Sequence, residues 1–359
     1  KGVKDSIADK LGLSVHGFVG ASYNYNFNSP DSHTNQIRVF DTEANTFTLD
    51  QANLQISRKK EDSNLGFVVN MDFGKVAEIV GNASRWSNNP TSSESTNSFE
   101  LREAYITYKL PVGGINLKAG RFVTLLGAEI IDNYDNHNFN VSRSFSFGYA
   151  IPFTHTGLLA NIPLGDVVAV DLGIINGWDD VVDKNDGKSL LAGIAINPAD
   201  LLSIYISGTY GAEQSSRGGS KRGTTTAVVT LKPSDTLTLA LEGTYGNESD
   251  LLGANLNKAA DWYGSAAYVV VKATDALSFA LRGEVFDDPD GVRTGIAATG
   301  FGPGATLWEV TPTLAYQVTD GLLWRTEYRH DEADKRAFQH DSNLVRGQDT
   351  ITTQLIYSF

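Results

Sequence analysis

The feature that most constrains this chain is a rhythm in its connections. Sixteen runs of about ten residues alternate apolar and polar side chains with period two, the pattern of a strand with two unlike faces. The runs are 13–27, 46–59, 64–73, 99–110, 115–124, 154–162, 167–177, 189–197, 202–211, 223–232, 236–246, 261–272, 277–287, 306–318, 321–331 and 348–359. Short and long links alternate between them. The short ones are 60–63, 111–114, 163–166, 198–201, 233–235, 273–276 and 319–320. The long ones are 28–45, 74–98, 125–153, 178–188, 212–222, 247–260, 288–305 and 332–347. A soluble sandwich has no reason to gather every tight turn at one end. An antiparallel barrel spanning an outer membrane does, with short periplasmic turns and long external loops. About ten residues is also the length a tilted strand needs to cross a bilayer.

The two faces differ in chemistry. Leu65, Phe67, Val69, Met71 and Phe73 oppose Asn70 and Asp72; Leu237, Leu239, Leu241 and Tyr245 oppose Thr236, Thr238, Glu242 and Thr244. The apolar set carries no charge through the strand middles, while the other set carries Arg282, Glu284, Arg325, Glu327 and Arg329. Sixteen strands enclose a lumen too wide for their own side chains to fill, so the apolar face should meet lipid and the polar face water. Aromatic girdles are expected from Tyr25, Phe27, Phe73, Phe99, Trp178, Tyr210, Tyr245 and Trp262 at the loop end. At the turn end they are Tyr108, Tyr316, Tyr357 and Phe359. Two runs change phase midway, at Leu49/Ala52 and Leu101/Ala104, and a β-bulge in each would restore the facing. Leu355, Tyr357 and Phe359 mark a last strand that should pair with the first and close the ring. A terminal Phe above alternating apolar residues also resembles the signal read by barrel-assembly machinery.

Composition removes several alternatives. No apolar stretch approaches the 18 or so residues of a spanning helix. With Cys 0, disulfides, thiolate zinc sites and thiol nucleophiles are absent, which suits passage through an oxidising periplasm. A net charge of -13 argues against nucleic acid. The chain opens on Lys1 with no signal peptide and reads as a processed form. Residues 1–12 place Val3, Ile7 and Leu11 at helical spacing, a short periplasmic segment ahead of a barrel over 13–359. None of the six histidines falls in a metal or nucleophile motif; His155 is expected to make a structural contact beneath the third loop. Asp179–Gly187 and Asp287–Gly291 are oxygen-rich but lack the closing Glu of a calcium loop, and read as solvated acidic turns, with divalent ions bridging the lipopolysaccharide surface as the alternative. No catalytic residue, metal or cofactor is expected.

One set of stretches resembles a family. Lys118–Glu129, Asn138–Ser144, Ala150–Gly157, Phe47–Ala52 with Gly66–Gly74, and Asn176–Trp178 are similar to the OmpL-like β-barrel porins. The resemblance implies a pore-forming outer-membrane protein and leaves the solute open. It also implies that the third and longest loop, 125–153, folds into the lumen and narrows it; a loop of that length usually carries function. Glu129, Asp132 and Asp135, with Arg143 near the return, would then face Lys118, Arg282, Arg325 and Arg329 across a constriction, giving a transverse field. The wall charges alone lean slightly basic, so the loop carboxylates nearest the ion should decide a weak cation preference that fades with salt. Neutralising Glu129, Asp132 and Asp135 should abolish it; neutralising Asp179, Asp180 and Asp183 at the rim should not. The expected activity is passive diffusion of small hydrophilic solutes. Expected partners are lipid, lipopolysaccharide, the assembly machinery and, by analogy, two further copies in a homotrimer. The alternatives are a sheath around a periplasmic electron carrier and an outer-membrane barrel enzyme.

Overall fold

The structure is a computed structural model, and it describes residues 12–58, 63–84, 98–132, 138–185, 187–214, 219–249, 259–296 and 304–359. Among the described residues eighteen strands occur: β1 (Leu13–Asn26), β2 (Thr46–Arg58), β3 (Leu65–Phe73), β4 (Phe99–Lys109), β5 (Asn116–Val123), β6 (Thr154–Leu164), β7 (Val168–Ile175), β8 (Ser189–Ala199), β9 (Leu202–Ala212), β10 (Lys221–Ser234), β11 (Leu237–Glu248), β12 (Ala260–Lys272), β13 (Leu277–Asp288), β14 (Ala305–Thr319), β15 (Leu322–Ala333), β16 (Phe338–His340), β17 (Asn343–Val345) and β18 (Gly347–Ser358). Sixteen of them close a barrel. β1 to β15 pair with their sequence neighbours, and β18 lies between β15 and β1. All these pairs are antiparallel. β16 and β17 form a separate hairpin in the last long loop. Every barrel strand lies within two residues of its expected bounds. Residues 1–11 of the expected N-terminal segment lie outside the described residues.

Local chemistry explains the joints. The turn between β14 and β15 is Asp320-Gly321, with Gly321 at φ 78, a two-residue hairpin that glycine enters without strain. Both expected bulges occur: register shifts fall at Gly20/Ala21 against β2 and at Asn70/Met71 against β4. The ring closes through Gly17, whose N–H donates to the Phe359 carbonyl at 3.1 Å and whose carbonyl accepts from Phe359 N–H at 2.9 Å.

The outer face is the apolar one. Val19, Leu158, Leu172, Ile174, Leu190, Leu241, Val285 and Leu355 are all exposed on it, which is lipid contact rather than core. Girdle positions Tyr25, Phe27, Phe73, Phe99, Tyr210, Tyr245, Tyr108, Tyr316, Tyr357 and Phe359 are exposed too. Two expected members are not. Trp262 is fully buried and Trp178 packs edge-on against it inside the barrel, 6.4 Å between ring centres. Tyr263, one residue on, takes the outward place and meets Tyr245 at 5.4 Å. Leu241 sits mid-strand and is 60% exposed. Leu241→Arg should therefore cost about 2–4 kcal/mol of stability in lipid vesicles. An unchanged denaturant midpoint would place this face away from lipid.

The lumen departs from expectation. Strand side chains alone do not fill it, but the loops do. Phe40 of the first loop, Val76 and Val80 of helix α1 (Lys75–Ala83) in the second, and Phe145, Phe147, Ile151 and Phe153 of the third are all buried. They pack with Phe122, Trp262, Phe286 and Leu307 of the strands in one apolar core. The loop-end half of the barrel is thus a packed interior built from connections.

Candidate functional site in the barrel lumen

The third loop runs across the ring, and the inward strand residues hold its backbone. Ser207 of β9 donates to the Leu125 carbonyl at 3.0 Å, and Thr226 of β10 accepts from Gly127 N–H at 3.1 Å. Glu242 of β11 accepts from Ala128 N–H at 3.1 Å. Glu327 of β15 accepts from the N–H groups of Val141 and Ser142 at 2.6 and 2.9 Å. Glu284 of β13 does the same for Phe145 and Ser146 at 2.6 and 2.7 Å, where the loop makes a π-helical turn, Ser146–Ala150. Arginines take the carbonyls. Arg282 donates to Ser142 O (2.8 Å), Arg325 to Asn138 O (2.9 Å) and Arg329 to Arg143 O (2.6 Å). A bond to a charged partner contributes about 1.5–3 kcal/mol, so this cradle fixes the loop far more firmly than neutral contacts would.

The expected constriction residues are placed as follows. Glu129 is buried and paired with Arg282 at 2.7 Å. Asp132 accepts from Arg102 of β4 at 2.8 Å and from Gln51 of β2 at 2.9 Å. Arg143 folds back on its own loop, donating to the carbonyls of Ile130, Ile131 and Val141 at 2.9 Å each. Asp135 lies outside the described residues. Lys118 stands apart from the loop, over the Tyr105 ring at 4.4 Å. No water gap separates Glu129 from Arg282; the two touch. The transverse field expected between them is replaced by direct pairing, because the loop reaches the wall. Leu355 and Tyr357 face outward on β18, against β1 and β15.

Two further expectations are corrected. The buried strand charges are Asp72, Glu100, Glu103, Asp171, Glu242, Glu248, Glu284, Asp288, Glu309, Glu327 and Asp331 against Arg102, Arg121, Arg282, Arg325 and Arg329. The wall leans acidic, not basic. The expectation weighed Glu284 and Glu327 alone against the arginines, and so missed the excess that the other strands carry. Nor is the fourth loop a solvated acidic turn. Asp180 is 1% exposed and pairs with Lys184 at 2.7 Å. Asp179 accepts from the N–H groups of Phe153 and Thr154 at 2.8 Å each, and burial pushes its carboxyl up to about 6 against those bonds. It ties the end of the third loop to the fourth. His155, also buried, lies 3.1 Å from the Thr124 hydroxyl at the start of the third loop.

Space is left on either side of this layer. Toward the turns lies a cavity of about 220 Å³ lined by Thr236, Thr238, Lys272, Thr313, Gln317 and Leu323. Phe139 of the third loop also lines it. Toward the loops, against β1, β2 and β18, a cavity of about 30 Å³ is lined by Ser22, Asn24, Thr48, Asp50, Thr352 and Gln354. Phe40–Glu43 of the first loop, Lys75, Val76 and Val141 close it. Asp50 was missed in the sequence because it falls in the phase change of β2.

Residues 12–359 match the family model described as "Putative beta-barrel porin-2, OmpL-like". None of the curated proteins matches the chain. Among solved structures, the chain is similar to OprB of Pseudomonas putida, with 12% identity, 99% and 96% of the two chains covered and a TM-score of 0.65. It is also similar to the outer membrane channel DcaP of Acinetobacter baumannii (14% identity, 97% of each chain, TM-score 0.63). An anion-selective porin from Comamonas acidovorans aligns with 9% identity over 97% and 99% of the chains and a TM-score of 0.62. At these identities the likeness is one of fold.

Proposed function

The chain belongs to the OmpL-like β-barrel porin family of the outer membrane, and we propose that it is a passive pore for small hydrophilic solutes and ions. The observation that carries this reading is the cradle: wall carboxylates and arginines clamp the third loop across the lumen and leave a narrow polar remainder. In this reading the loop is a fixed constriction, 125–153, whose job is exclusion by size. Nothing in it requires energy coupling. The sheath reading is disfavoured by the same observation, since an electron carrier needs an unobstructed bore and the loops occupy this one. Assembly as a homotrimer through the apolar outer face belongs to the proposal and would be read by cross-linking in native membranes. Purified protein in planar bilayers should give stepwise, ohmic conductance that stays small for a sixteen-strand barrel. Protein that folds and inserts yet never conducts would overturn the pore.

A further inference from the structure

The third loop is bonded chiefly to inward residues of β9 to β15 and reaches β2 and β4 through Asp132, so any path must use what it leaves. Toward the loops that remainder lies against β18, β1 and β2; toward the turns it lies beneath the third loop, against β11 to β15. Resting on the diffusion-pore reading, we propose that solutes enter along the β18–β1–β2 wall and that Asp50 sets the cation preference of the path.

The two cavities mark its course. Gln354 lines the one toward the loops, and Leu323 lines the one toward the turns. Leu323 and Arg325 share the inward face of β15, and Arg325 bonds Gln354 at 2.6 Å. In this proposal the Arg325–Gln354 pair stands between the two spaces. The lining toward the loops is chiefly hydroxyl and amide groups, which can replace the water around a small ion.

Charge balance singles out Asp50. Of the three carboxylates at this cavity, Asp41 pairs with Arg38 and Glu43 pairs with Lys75 at 2.8 Å. Asp50 accepts from Ser22 and Gln354 at 2.7 Å each, both neutral donors, and makes no ion pair among the described residues. Arg325 bonds the same Gln354 and donates to the carbonyls of Asn138 and Asn140. The bulge explains the placement. Register jumps from Gln51 opposite Gly20 to Leu49 opposite Ala21, so Asp50 is the residue left over. Its side chain joins that of Gln51 on the lumen side, as a bulge re-aims a side chain.

Two variants test this by reversal potential under a salt gradient. Asp50→Asn keeps an oxygen for Ser22 and removes the charge. The cation-to-anion permeability ratio should fall toward one, by up to about thirtyfold, since a carboxylate ~4 Å away in a water-like medium favours the cation about fivefold and disfavours the anion as much. The chain has no cysteine, so Thr48→Cys supplies one thiol in the cavity for a cationic thiol reagent. Modification should cut both current and cation preference. Heat-dependent gel mobility confirms that each variant is folded. A ratio that survives Asp50→Asn, or current indifferent to a modified Thr48→Cys, overturns this inference and leaves the pore reading intact. Absence of conductance in the unmodified protein overturns both.

Discussion

Replacing Glu284 and Glu327 together by alanine should raise single-channel conductance several-fold. Each carboxylate accepts two consecutive loop N–H groups, so the pair holds Val141, Ser142, Phe145 and Ser146 to the wall. Four charge-assisted bonds of roughly 1.5–3 kcal/mol are lost, though neighbouring losses are not additive. Four buried N–H donors are left needing water, and the cheapest source is a loop that lifts away. Either single variant leaves half the clamp and should change conductance less than in proportion. The barrel itself should persist, because its closure depends on backbone ladders in which these side chains take no part. A folded double variant with unchanged conductance would mean that the third loop does not limit flow.

Gly17→Leu should prevent proper closure. A Cβ at Gly17 would lie 2.6 Å from Cζ of Phe359 and 2.9 Å from the Asn53 carbonyl. The ring can turn aside, but the carbonyl belongs to β2 and can retreat only by opening the β1–β2 ladder. The heat-modifiable, folded fraction should drop several-fold, both in cells and on refolding into lipid. Phe359→Ala separates two roles of the same residue. It removes the ring that covers Gly17 but keeps both backbone bonds at the seam. Failure in cells with normal refolding into lipid would assign Phe359 to recognition by the assembly machinery; failure in both would assign it to the seam. Full recovery of Gly17→Leu in both settings would remove the seam from the account.

Strand number, strand bounds and facing were legible because they depend on period-two alternation, which each segment carries within itself. Leu237, Leu239 and Leu241 face lipid whatever their neighbours do. Even the two bulges could be found, since each appears as a slip of phase between Leu49 and Ala52 or between Leu101 and Ala104. Trp262 is the exception: its residue type suits the girdle, but Tyr263 holds the outward phase.

The charges show the boundary between the two kinds of information. By itself the sequence determined that Arg282, Glu284, Arg325, Glu327 and Arg329 lie on the polar face of two strands, because backbone pleating decides that locally. What they do was decided only by tertiary structure. The third loop approaches closely enough to take them as hydrogen-bond partners, so groups that would line a water-filled wall become the clamp on a backbone. For the same reason Glu129 and Asp132 end in ion pairs, while Asp50, indistinct in the sequence, accepts from the neutral donors Ser22 and Gln354. A carboxylate's role depends on which donors lie within about 3 Å, and such distances join residues far apart in the chain. Periodicity carries no record of them.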